Sequence, residues 1–230
     1  MENKAFSVMV NGAERSADHS SPALAEGLAE AERLALAAAP RRSRARYGAV
    51  LLLDAALRRI ALSARDPLPT QFRLAWWRDA VGRVPPGREH PVLAALTEAG
   101  FAEPAPLVAL VDAWEAVAVG EDRLALRAEA LARARGQAFS LCAGTDPVLA
   151  IAAARCWTLV ELAATSGDPG EGAALLATAR HTSLPPLPRD LRPLALLAGL
   201  ARRAALRGGE PLLGDRLSPL AAIRLHIFGR

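Results

Sequence analysis

Residues 47–62 read YGAVLLLDAALRRIAL, an apolar run interrupted only by Asp54, Arg58 and Arg59. Wound at 3.6 residues per turn, it carries apolar side chains on nearly every face, so as a helix it must be surrounded by other elements. The rest of the chain can supply them. Of its 230 residues 52% are hydrophobic, and Ala and Leu dominate that set while aromatic residues make up only 4%. Small and straight-chain residues lose little side-chain freedom in a helix, so this composition predicts an all-α fold.

Working outward, apolar periods alternate with breaker residues. Ser21 before Pro22 reads as a cap and first-turn proline for a helix running through Leu24, Leu28 and Leu34 to just before Pro40. The central helix spans about 46–64. Pro67 and Pro69 break it, and Thr70 caps a third helix that ends at the Pro85-Pro86-Gly87 turn. Further helices are expected over 90–99, 106–119, 123–142, 147–165, 171–179, 189–207 and 218–228, joined by short turns such as SGDPG and SLPPLP. The prediction is a single-domain bundle of about ten helices over residues 20–230, preceded by a polar, mobile segment over residues 1–19.

The formal net charge is +4 with a pI near 10.0, and Lys4 is the only lysine. So complete an arginine bias reflects genome composition more than a binding surface, and no nucleic-acid partner is expected from it. Cys142 and Cys156 lie in apolar helical stretches, outside any metal-ligand spacing, and read as small buried hydrophobes in a reducing compartment. The N-terminus lacks a signal pattern and charged residues or proline interrupt each apolar run, so a cytoplasmic location is expected. Arginine-bearing amphipathic helices leave room for a peripheral contact with the inner membrane face.

Residues 71–81, QFRLAWWRDAV, followed after a loop by HPVLAAL at 90–96, resemble the squalene/phytoene synthase family at Arg73, Leu74, Trp76, Trp77, Arg78, His90, Pro91 and Val92. The stretches ARCWTL (154–159), SLPPLPRDLRPL (183–194) and LSPLAAIRL (217–225) are similar to it with less specificity. The resemblance implies an isoprenoid-synthase-like bundle with a central cleft, and an enzyme that ionises prenyl diphosphates on magnesium held by two pairs of aspartates. An Asp-x-x-x-Asp pair suits that chemistry because residues four apart share a helix face and offer neighbouring oxygen ligands to a hard cation.

Neither pair is written here. Where the first should stand, the central helix has Arg58, Arg59 and Leu62, with Asp54 one turn too early. Where the second should stand, VELAATSGDPG offers Glu161 and Asp168, seven apart, and Asp168 reads as a turn or cap residue. Glu26 and Glu30 read as a solvated face of the first helix. No catalytic residue and no metal ligand is therefore assigned. Adjacent indoles on a helix point different ways, so one of Trp76 and Trp77 should pack in the core and the other lie at a surface or cleft. His90 reads as a turn and helix-start residue, since no nucleophile constellation accompanies it.

Arg58, Arg59, Arg73, Trp76, Trp77 and Arg78 remain as candidate ligand- or partner-binding residues, because guanidinium groups match phosphate oxygens in pairs and aromatic residues beside arginine anchor partners. The expected cleft is lined from helices two, three, five and seven, with Arg58 or Arg59 at its mouth and Glu115 or Glu161 as its carboxylate partner. The reading is a non-catalytic protein without a cofactor, resembling the branch of the family that contains a respiratory complex I assembly factor. Its implied partner is a protein or a prenyl lipid. The alternative is a divergent prenyltransferase that condenses prenyl diphosphates and needs magnesium. A generic helical scaffold with an accidental Trp-Trp match is the third reading.

Overall fold

The computed structural model describes residues 27–213 apart from 64, 65, 84, 86 and 210. The described chain is all-α. Its helices are α1 (Glu30–Ala37), α2 (Arg44–Leu62), α3 (Pro67–Gly82), α4 (Pro91–Ala99), α5 (Ala105–Val119), α6 (Leu124–Ala143), α7 (Pro147–Thr165), α8 (Pro169–His181) and α9 (Arg192–Leu206). A short 3-10 turn, Arg189–Leu191, leads into α9. The expected mobile segment 1–19, the start of the first helix at Ser21-Pro22 and the tenth helix over 218–228 lie outside the described residues.

Four helices start in the same way. Asp66, His90, Asp146 and Asp168 each precede a proline, and each side chain accepts a hydrogen bond from the backbone N–H two residues on. The proline supplies a first-turn φ and gives up an N–H that would have no partner, while the preceding side chain satisfies the next donor. His90 and Asp168 are thus cap residues, as expected. The third helix differs from its prediction. Asp66 caps it, Pro67 and Pro69 fall in its first turn rather than breaking the chain there, and Thr70 lies inside it with Oγ1 donating to the Asp66 carbonyl at 3.0 Å.

The first helix also differs. Gly27 and Leu28 are not helical, and α1 begins at Glu30 because Glu32 turns back to accept the Ala29 N–H at 2.8 Å. The central helix matches its reading, with Tyr47, Val50, Leu51, Leu53, Leu57 and Asp54 all fully buried. One core cluster draws residues from all nine helices.

α7 packs against α6, α8 and α9. Its approach to α6 is close at Gly136, where an added Cβ would sit 2.5 Å from the Ile151 Cα and 2.6 Å from the Ile151 N. Contrary to the expectation for apolar runs, α7 is long and apolar enough to cross a membrane by length and composition alone. Half of that stretch is buried inside the bundle and it carries Arg155 and Glu161 in ion pairs, which is how a core helix of a bundle looks.

Candidate functional site: an arginine-filled centre and a cavity behind it

The polar residues of α2 meet their partners at the middle of the bundle. Asp54 is wholly buried, and its Oδ1 accepts from Trp114 Nε1 of α5 at 2.8 Å and from Arg135 Nε of α6 at 3.1 Å. Arg135 Nη2 donates to Asp54 Oδ2 at 2.8 Å and to Glu161 Oε2 of α7 at 2.5 Å, while Nη1 donates to Thr158 Oγ1 at 3.1 Å. The guanidinium carbon stands 3.9 Å from the centroid of the Trp157 ring and 5.1 Å from that of Trp114. One turn along α2, Arg58 Nη1 donates to Glu161 Oε1 at 2.7 Å and to Glu32 Oε1 of α1 at 2.6 Å.

Three carboxylates and two guanidinium groups thus form one continuous network. Burial works against the charge on Arg135, but Asp54 and Glu161 outweigh it and hold the guanidinium protonated. Arg58 behaves alike: burial lowers its pKa, and Glu161 with Glu32 more than restores it. Such a cluster persists in a dry core only when its donors and acceptors are matched, and two indole faces add a cation–π attraction here.

Magnesium, which the family resemblance implies, does not fit this donor set. The six carboxylate oxygens of Asp54, Glu161 and Glu32 all already accept from the protein's own N–H groups. A metal would have to displace a guanidinium that neutralises the same oxygens. Among the described residues no group of three or more His, Cys, Asp or Glu is arranged to share an ion.

The opposite face of α2 lines a cavity of about 350 Å³, bordered by Gly27, Leu52, Ala56, Arg59 and Ile60, by Trp77 of α3, and by His90, Pro91 and Val92 at the start of α4. At about 100° per residue, Leu52, Ala56, Arg59 and Ile60 fall roughly opposite Asp54 and Arg58. This is where the Trp-Trp motif lies. Trp77 is 4% exposed and Trp76 43%, so the two indoles divide between core and surface as expected. The His90 ring packs against Trp77 at 4.9 Å and Trp76 at 6.4 Å between centroids. Its Nδ1 accepts the Val92 N–H at 3.2 Å, which leaves the proton of a neutral ring on Nε2.

The candidate residues therefore separate. Arg59 and Trp77 share the cavity, with Trp76 beside it through His90. Arg58 is committed to the central network on the other face. Arg78 pairs with Asp112 at 2.5 Å and with Glu115, both on α5. Arg73 is exposed and returns its Nε to the Pro69 carbonyl of its own helix at 3.2 Å.

Two expectations are corrected. Glu115 serves Arg78 and not Arg58, because α3 packs along α5 and brings Arg78 to it. The expected cleft between helices two, three, five and seven is not what lines the cavity: Arg135, Trp114 and Trp157 fill the space between α2 and α7, and the cavity lies between α2, α3 and α4. A second cavity, of about 530 Å³ between α5, α6 and the start of α7, has no charged side chain in its wall.

Arg135, Glu32, Trp114 and Thr158 escaped the sequence reading. One signal for Arg135 was there. It falls inside the apolar period of α6, in step with the buried Ala128, Leu131, Phe139 and Cys142, where a solvated arginine would not sit. Comparison with family models, with curated proteins and with solved structures found no match for this chain.

Proposed function

We propose that the chain is a non-catalytic protein of the squalene/phytoene synthase kind, with an isoprenoid-synthase-like bundle, that works by binding and not by turnover. The observation that carries this reading is Arg135 between Asp54 and Glu161. α2 and α7 are the helices on which the resemblance implies the metal carboxylates, and each does bring one acid to a shared centre. The cation between those acids is a guanidinium anchored by both of them and by two indoles, so the acids that these two helices do bring to the centre are taken up by an internal ion pair and not offered to a metal.

The role that fits is assembly of a membrane enzyme or handling of a prenyl lipid from the cytoplasmic side. A docking face for a protein partner is available on α3. Leu68, Phe72 and Trp76 recur every four residues along its outer side and are 63%, 74% and 43% exposed, the spacing by which a helix seats large apolar anchors in a partner's groove.

The test is incubation with farnesyl or geranylgeranyl diphosphate and magnesium. The expected result is no release of pyrophosphate above a denatured control, and no rise in melting temperature with magnesium, since an ion that does not bind the folded state cannot stabilise it. Metal-dependent pyrophosphate release would overturn the proposal in favour of a divergent prenyltransferase.

A further inference from the structure

The cavity behind α2 has an unusual wall. Leu52, Ala56, Ile60, Trp77, Pro91 and Val92 make it apolar, and Arg59 and His90 are its two polar side chains. Among the described residues no carboxylate lies within ion-pair distance of Arg59, whereas Arg58, Arg78 and Arg135 each have two and Arg155 has one. A cation that has no counter-charge among the described residues, on the rim of an apolar cavity, is half of an ion pair whose other half can come from a ligand.

His90 strengthens the same reading. Capping α4 uses its Nδ1 as an acceptor, so what the neutral ring still offers is an Nε2–H donor, and the ring packs in edge-to-face contacts with Trp76 and Trp77. Donors without acceptors, against apolar walls, select an anion joined to a hydrocarbon.

We propose that this cavity binds a phosphate monoester carried on an apolar chain, with the phosphate on Arg59 and the His90 Nε2–H and the first carbons of the chain against Leu52, Ala56, Ile60 and Trp77. The arginine fork and the imidazole N–H together present three donors, which suits the three terminal oxygens of a monoester. No metal takes part. The inference deepens the binding reading above but rests on the cavity and not on the family resemblance. Metal-dependent pyrophosphate release would sink that reading and leave this one standing, while a failure to bind alkyl phosphate would do the reverse.

The experiment titrates decyl phosphate, below its micellar concentration and with chelator present, against the full chain, following calorimetry and the change in tryptophan fluorescence, to which Trp77 at the cavity wall contributes. Decyl phosphate is expected to bind at least tenfold more tightly than decanol, and inorganic phosphate alone to bind too weakly to detect. Arg59→Ala should cost at least tenfold for decyl phosphate and leave decanol unchanged. Ala56→Phe, which fills the cavity from α2, should abolish binding of both. Phosphatidic acid vesicles, whose headgroup is itself a phosphate monoester, then distinguish the sources: competition with decyl phosphate identifies a lipid headgroup, and no competition identifies a soluble alkyl or prenyl phosphate. Equal affinity for decyl phosphate and decanol, an unchanged affinity in folded Arg59→Ala, or binding that needs a divalent metal would overturn the proposal.

Discussion

Asp54 and Arg135 are 81 positions apart in the chain, yet each is the reason the other can be buried. A lone guanidinium in an apolar core would cost several kcal/mol, and so would a lone carboxylate; held together with Trp114, Thr158 and Glu161, their donors and acceptors are matched. Removing one member therefore costs more than removing the pair. Arg135→Met is expected to destabilise the protein by about 3–5 kcal/mol, because Asp54 then keeps only the Trp114 N–H as a partner. Asp54→Leu combined with Arg135→Met should recover at least half of that loss, since the buried charge goes with its partner while Glu161 keeps Arg58. Urea unfolding of the two variants decides it. A double variant less stable than the single one would mean that the network holds the helices in place more than its parts suggest.

At the scale of elements, the α6–α7 contact delivers Arg135 to Trp157, Thr158 and Glu161, and it depends on Gly136. A Cβ there would run into the backbone of Ile151, which no rotamer change relieves, so one helix would have to move away. Gly48, in the second turn of α2, is the opposite case: its Cβ would meet only Leu36 side-chain atoms at 3.6 and 3.8 Å, an ordinary contact. Gly136→Ala is expected to destabilise by about 1–3 kcal/mol through overpacking, whereas Gly48→Ala should stabilise by about 0.5–1 kcal/mol through helix propensity. Thermal melts of both variants check the signs. If they move together, propensity and not close packing governs both positions. The helix starts belong to this scale as well. Local chemistry is enough to read His90 and Asp168 as caps, whereas Pro67 reads as a breaker until the Asp66 side chain, which makes a first-turn proline favourable, is set beside it.

For the molecule as a whole, the core sets a limit on alkaline pH. Burial pushes the Cys156 thiol up to about 11, with Arg202 pulling slightly the other way, and burial pushes the Cys142 thiol and the Tyr47 hydroxyl higher still. All three have raised values in the folded chain. Below the unfolded thiol value of about 8.5 both states keep their protons and stability is complete. Above it the unfolded chain releases protons that the folded chain retains, so stability falls by about 1.4 kcal/mol per pH unit for each thiol. Urea midpoints measured from pH 7 to 10 should be flat at first and decline from about pH 8.5. The Cys142→Ala, Cys156→Ala double variant should postpone the decline to about pH 10, where tyrosine takes over. Identical slopes in the two proteins would exclude the buried thiols as its cause.

The all-α class, the burial of α2 and the helix-start roles of His90 and Asp168 were determined by the sequence alone, because hydrophobic period and cap chemistry act over a few residues and can be read without knowing what lies across the core. Even the division of labour between Trp76 and Trp77 follows from the angle between adjacent residues on one helix. Pairing does not. Arg58 and Arg59 are neighbours, yet Arg58 reaches Glu32 and Glu161 while Arg59 rims the cavity on the other face of α2, and which of them found carboxylates depended on where α1 and α7 came to rest. The same holds for the choice of Glu115 by Arg78 and for Arg135 at the centre. A hydrogen-bonded ion pair forms only where donor and acceptor come within about 3 Å, so its partners are chosen by proximity in space, and that proximity is set only when the helices have packed.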